Sequence, residues 1–347
     1  MVDFVSVSNI LNLVRDIGPE PFLKGLAGAM EDSYRRWQSF EKVARIGSHT
    51  RDGVIELMPT SDGQTYGFKC VNCHPVNTAS GLQTVVAFGV LSDVATGYPV
   101  LVSEMTVLTA LRTAAMSAMA ARHLARPDST TMAIIGSGAQ CEFQALAFRA
   151  VLGINRLRLY DIDARATEKA RANLVPLGFE VTTAPSAEAA VAGADIVTTV
   201  TADKQFATIL SDNMIGAGVH LNAVGGDCPG KTELAPPLLH RANIFVEYPE
   251  QTRVEGEIQQ LAPDHPVTEL WQVITGAAAG RRGPQDVTLF DSVGFAVEDF
   301  TALTYLHDLA RGTGYAEDIE LLPDPADPRD LFGLLGKARP DRNPRAA

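Results

Sequence analysis

Between Thr131 and Gln144 the chain reads T-M-A-I-I-G-S-G-A-Q-C-E-F-Q. A run rich in β-formers meets two glycines one residue apart, and apolar residues then recur at Phe143, Leu146, Ala147, Ala150 and Val151. That order predicts strand, tight turn and helix. Glycines at 136 and 138 would let the backbone approach a pyrophosphate, and the free N–H groups opening the helix would meet its charge. The third fingerprint position, where glycine allows close helix–strand packing, holds Cys141, so the motif is incomplete and also fits an ordinary βα turn. The next strand, Arg156–Tyr160, adds weight because it ends at Asp161, 25 residues after Gly136. An acid there accepts hydrogen bonds from a ribose and repels a 2′-phosphate, so the expected cofactor is NAD rather than NADP.

The 347 residues exceed one ordinary domain, and two are expected. The longest apolar runs, such as Leu82 to Leu91, stop well short of the ~18 residues that span a bilayer. No signal-peptide pattern precedes Asp3, and a cytoplasmic location is expected. Acidic residues outnumber Lys plus Arg 41 to 29, a net charge of −12 that argues against nucleic acid or an anionic membrane as partner.

Four cysteines are too few for a disulfide framework in a chain this long. Cys70-Val71-Asn72-Cys73-His74 has the spacing of a haem-attachment site, but no export signal or axial-ligand helix accompanies it. Zinc would need a second ligand pair, so no metal is expected and the two thiols read as reduced and partly buried, following a strand.

The amino-terminal part reads as α+β. Leu23, Leu26, Met30, Tyr34, Trp37 and Phe40 predict one long amphipathic helix from about residue 22 to 46. Strands are predicted at 53–58, 66–71, 83–91 and 98–102, the last two joined by a turn, followed by an Ala- and Met-rich helix over 103–124 that Pro127 closes off. Beyond Ser129, strands at 132–135, 157–160, 179–182, 196–201, 220–224 and 244–246 alternate with helical or loop stretches. This is the period of a Rossmann-type doubly wound parallel sheet. The tail from Pro323 reads as a peripheral wrap.

In open α/β sheets, ligands bind beyond the carboxyl ends of the strands, and the loop Asn222 to Lys231 leaves from such an end. Its Asp227, among Gly225, Gly226, Pro229 and Gly230, is a candidate catalytic carboxylate, although aspartate also favours turns. Thr199, Thr201 and Asp203 end the preceding strand and are candidates to line the dinucleotide. In the first domain Arg45, Glu56, Lys69 and Arg112 are charges set in apolar segments or at their ends. Isolated cations in an acidic chain suit a carboxylate ligand, as well as ordinary ion pairs.

The succession G-V-I-E-L-M-P, Y-G-F-K, G-Y-P-V-L, A-L-R-T-A-A, I-G-S-G-A-Q, N-A-V-G-G-D-C-P-G-K-T-E-L and D-S-V-G-F-A resembles the ornithine cyclodeaminase/μ-crystallin family over nearly the whole chain. The resemblance implies that Arg45, Lys69 and Arg112 hold a substrate carboxylate, that Glu56 lies near an amino group, and that Val293 touches substrate. It implies that Thr84, Arg112, Gly136, Gly138, Ala139, Gln140, Asp161, Thr201, Asn222, Ala223, Val224, Gly225, Lys231 and Ser292 contact NAD, with Asp227 as acid and base. It implies a homodimer formed by the first domain's sheet. That substrate-binding domain would span 1–126 and regain 314–347, around an NAD-binding domain over 127–313. The implied reaction turns L-ornithine into L-proline and ammonia by a hydride transfer that is reversed before release. An NAD-dependent amino-acid dehydrogenase, a ketimine reductase or a non-enzymatic dinucleotide- or hormone-binding protein stays open as an alternative.

Overall fold

The computed structural model describes residues 1–202 and 206–336, so Asp203 and the last basic residues lie outside the described residues. The chain opens with strand β1 (Val2–Val5), helix α1 (Val7–Ile17) and helix α2 (Pro19–Arg35). The Ser6 hydroxyl caps α1 by accepting from the Asn9 amide, and α2 starts on Pro19 and Pro21, whose fixed φ suits a first turn. The single helix expected to reach residue 46 stops at Arg35, and Trp37–Ser39 form a 3₁₀ turn. Tyr34, Trp37 and Phe40 are three apart, a spacing that a three-residue turn satisfies as well as an α-helix does.

Strands β2 (Ile46–His49), β3 (Val54–Ser61), β4 (Thr65–Cys73), β5 (Val85–Asp93) and β6 (Pro99–Glu104) follow, then helix α3 (Thr106–Leu124). The predicted strand pairs are antiparallel as expected, although β1 and β2 escaped the sequence pattern because both are short. Cys70 and Cys73 lie within β4 instead of after it, and both are half-buried. Helix α3 is buried on nearly every face, because Ala114, Ala115, Ala118, Ala120 and Ala121 let neighbouring helices approach closely.

The second domain runs through β7 (Thr131–Ile135), α4 (Cys141–Leu152), β8 (Arg156–Tyr160), α5 (Ala164–Leu174), β9 (Glu180–Thr183), α6 (Ala187–Val191), β10 (Ile196–Thr199), β11 (Phe206–Leu210), β12 (His220–Ala223), β13 (Thr232–Leu234), α7 (Pro236–Arg241), β14 (Asn243–Val246), α8 (Pro249–Glu255), β15 (Thr268–Glu269), α9 (Leu270–Ile274) and β16 (Thr288–Asp291). Eight of these strands form a parallel sheet in the order β15-β14-β16-β12-β10-β7-β8-β9. The order reverses between β7 and β10, the crevice where doubly wound sheets take their ligands.

Helix α10 (Ala296–Ala310) then packs on α2, α3 and strands β3 to β5, and β17 (Glu317–Ile319) pairs with β1. The chain thus re-enters the first domain at α10, ahead of residue 314. One hydrophobic core runs through α2, α3, α4 and α10, so the two domains are packed against each other. Among the described residues, no helix is long and apolar enough to cross a membrane.

Candidate active site

The glycine loop takes the predicted form. Gly136 has φ +105°, and a Cβ there would lie 2.8 Å from the Val200 carbonyl carbon, so the turn after β7 rests directly on the end of β10. Asp161 fixes the loop by accepting from the Ser137 amide at 2.6 Å, and its other oxygen accepts from Asp163 N at 2.9 Å. Among the described residues, the amides of Gly138, Ala139 and Gln140 have no protein acceptor, and the space over Gly138 is open. These features fit a dinucleotide pyrophosphate. Cys141 is buried against the core, which pushes its thiol up to about 12 and leaves it a packing residue.

Beyond β10 and β12 the candidate residues converge on a set of carboxylates that the sequence did not reveal. Lys231 donates to Asp227 at 3.2 Å and to the Thr201 carbonyl at 3.0 Å. Burial works against its charge, yet Asp227 and Glu233 outweigh this and hold its pKa above the ordinary value. Glu233 accepts from both the amide and the hydroxyl of Thr201, and its own pKa is raised by burial. A Cβ on Gly225 would collide with the Glu233 carboxylate, and one on Gly226 would lie 2.8 Å from Glu257. These two glycines are therefore required by the carboxylates beneath them, a reason beyond turn formation. The Asn222 side chain bonds to Thr198 and His220, and its backbone lies in β12 between β10 and β16 at the carboxyl end of the sheet. Ser292 donates to Glu247 at 2.8 Å, and Thr84 accepts from the His74 amide through its carbonyl.

The first domain brings its cations to the same place, already paired. Arg45 donates to Glu56 at 3.2 Å and to the carbonyls of Val293 and Gly294 at 2.5 and 2.7 Å, and its Nε lies 3.0 Å from Glu255. Arg112 pairs with Glu298 at 2.8 Å and with Asp299 at 2.9 Å. Lys69 pairs with Asp299 at 2.8 Å and is almost fully buried. Burial, followed by the neighbouring Arg112, lowers the Lys69 pKa to about 8 against the pull of Asp299. A buried cation without a partner would cost several kcal/mol, which is why each expected carboxylate ligand comes with an internal acid. Donors remain for a substrate, since among the described residues neither N–H of Arg112 Nη2 has an acceptor.

Glu298 and Asp299 were legible only as acids in the first turn of a helix, where the helix dipole alone would favour them. Burial raises Glu247 and Asp291 to about 7 and Glu298 to about 8. The folded protein then holds protons that the unfolded chain has released, so these groups make stability fall as pH rises from about 4.5 to about 8. Thermal melts should show a higher midpoint at about pH 6 than at about pH 8.5.

A model of the ornithine cyclodeaminase/mu-crystallin family matches residues 7–314. The chain belongs to this family. Within it, an ornithine cyclodeaminase of Agrobacterium fabrum is 64% identical over 335 residues, covering 96% of this chain and 95% of its own. A lysine cyclodeaminase solved for its recognition of L-lysine, L-ornithine and L-2,4-diaminobutyric acid superposes with a TM-score of 0.88 at 32% identity, covering 96% of this chain and 99% of that one. An archaeal alanine dehydrogenase dimer with bound NAD gives 0.85 at 28% identity, over 92% and 99% of the two chains.

Proposed function

We propose that this protein is an ornithine cyclodeaminase, converting L-ornithine to L-proline and ammonia with a resident NAD. The observation that carries the reading is the convergence of Asp227, at the carboxyl end of the parallel sheet, on the network of Arg45, Lys69 and Arg112 from the other domain. The likeness to curated cyclodeaminases over nearly the full chain supports the same reading.

Gly136, Gly138, Ala139, Gln140, Asp161 and Thr201 would hold the dinucleotide, with Lys231, Ser292 and residues 222–225 closing its nicotinamide side. When bound, NAD supplies reversible hydride removal at Cα, with no net redox change over a turnover. Arg112 and Lys69 hold the substrate carboxylate through their unspent donors, and Arg45 completes the cationic wall, so Cα is oriented at fixed depth. Asp227 accepts the proton of the α-amine and returns one to the departing ammonia. Lys231 keeps that carboxylate turned toward the site. The clamp end of the site is almost wholly buried at Glu56, Lys69 and Arg112, whereas the Asp227 side chain at its other end is 41% exposed.

Purified protein given ornithine should release ammonia and proline in equal amounts without a lasting rise in the reduced-nicotinamide absorbance. A rise that tracks substrate consumption would identify a dehydrogenase and defeat the reading.

The reading includes a cytoplasmic enzyme of ornithine breakdown and a homodimer built on the outer face of the first sheet. Across β3, β4 and β5, Ile55 aligns with Val86 and Leu57 with Phe88. All four are exposed, Val86 and Phe88 at 50% each, and they flank Cys70 and Asn72 of β4 as two apolar pairs on one sheet face, an exposure that suits a partner surface. Phe88→Asp should halve the mass seen by sedimentation at micromolar concentration, and an unchanged mass would count against this interface.

A further inference from the structure

Cyclisation needs a second proton acceptor. Asp227 serves the α-nitrogen, but the δ-nitrogen enters as an ammonium and cannot attack carbon until it loses a proton. Three carboxylates surround the Arg45 guanidinium: Glu56 at 3.2 Å, Glu255 at 3.0 Å, and Asp227 within electrostatic reach. Of these, Glu255 is the one built onto the same platform as Asp227. It ends α8, and Gln259, four residues on, clasps the catalytic loop by accepting from Gly230 N at 2.7 Å and donating to the Lys231 carbonyl at 3.1 Å. Gln259 Nε2 also reaches the Glu255 carbonyl at 3.1 Å. Gln259 thus ties the loop that carries Asp227 to the end of α8 that carries Glu255.

The Glu255 side chain is 91% buried, being 9% exposed, and its Oε2 faces Arg45 Nε without a well-aligned hydrogen bond. The oxygen therefore keeps accepting capacity toward the site. Burial pushes its pKa up to about 7, with Arg45 pulling it down and Glu56 and Asp227 pushing it further up. A carboxylate near neutrality is suited to take a proton and give it back.

Building on the cyclodeaminase reading, we propose that Glu255 accepts the proton of the substrate's distal ammonium, making the δ-amine a nucleophile, while Asp227 handles the α-nitrogen. The step converts carboxylate plus ammonium into carboxylic acid plus amine, with no change of oxidation state. The freed lone pair forms the δ-nitrogen–Cα bond, the bond from Cα to the α-nitrogen breaks as ammonia leaves, and Glu255 returns its proton to the ring nitrogen before proline departs.

The test is Glu255→Gln in the full-length enzyme with NAD, compared with wild type and Asp227→Asn. Turnover should fall about 100-fold. On mixing with ornithine, the variant should develop a reduced-nicotinamide band that persists, because Cα is oxidised while the ring cannot close. Asp227→Asn should develop none. The acid limb of the wild-type rate profile near pH 7, set among Arg45, Glu56 and Asp227, should disappear in Glu255→Gln and survive, shifted, in Glu255→Asp. Turnover within about threefold of wild type would overturn the proposal, since a proton-transfer group is worth far more. So would a loss of turnover with no reduced-nicotinamide band, which would make Glu255 only a prop for Arg45. Failure of wild type itself to yield proline and ammonia would remove the cyclodeaminase reading instead, and is scored separately in the same experiment.

Discussion

Asp227→Asn should lower ammonia release from ornithine about 10³-fold while leaving dinucleotide binding within a few-fold of wild type. The amide keeps the shape of the side chain but can neither accept the amine proton nor return one. The binding surface is untouched, because the glycine loop is fixed by Asp161 and by contact with Val200. Lys231 loses its 3.2 Å ion pair but keeps the Thr201 carbonyl and Glu233 nearby, so the loop should hold. Ammonia assays and a fluorescence titration with NADH read the two effects separately. Loss of cofactor binding in parallel with turnover would mean that Asp227 acts by shaping the loop, and the assignment as acid and base would fall.

Arg112→Met should destabilise the fold by about 3–5 kcal/mol and abolish activity. Its guanidinium is shared by Glu298 and Asp299, both completely buried, and methionine would leave Glu298 without a paired cation among the described residues. The sign with pH is determined. Glu298 already titrates at about 8 because burial outweighs Arg112. Without Arg112 its pKa rises further, so the stability deficit should widen as pH increases and narrow toward pH 6. Denaturant melts at both ends of that range test this, and a deficit independent of pH would show that packing rather than charge is what Arg112 supplies.

The two variants probe parts of the site that differed in legibility. The glycine loop could be placed from sequence because a strand, a turn and a helix announce themselves within fifteen residues through local periodicity and backbone permissiveness. Asp227 was findable for a related reason: it lies in the loop that leaves the carboxyl end of β12, a strand of a recognisable parallel sheet. Arg112 stood out as a charge among Leu108, Leu111, Ala114 and Met116, but its partners lie 186 and 187 residues away, on α10. No local pattern links them. Glu233 and Glu257 were invisible for the same reason, and the glycines above them looked like turn residues when they are clearance for carboxylates.

The amino-acid order alone therefore determined the class of fold, the position of the cofactor loop and the candidate acid, since each rests on residues close in the chain. The ending of α2 at Arg35, the return of α10 to the first domain and the internal pairing of every clamp cation were decided by tertiary structure. The physical reason is desolvation. A charge removed from water must find its counter-charge, and in this fold the counter-charge arrives from a distant segment that only packing brings alongside.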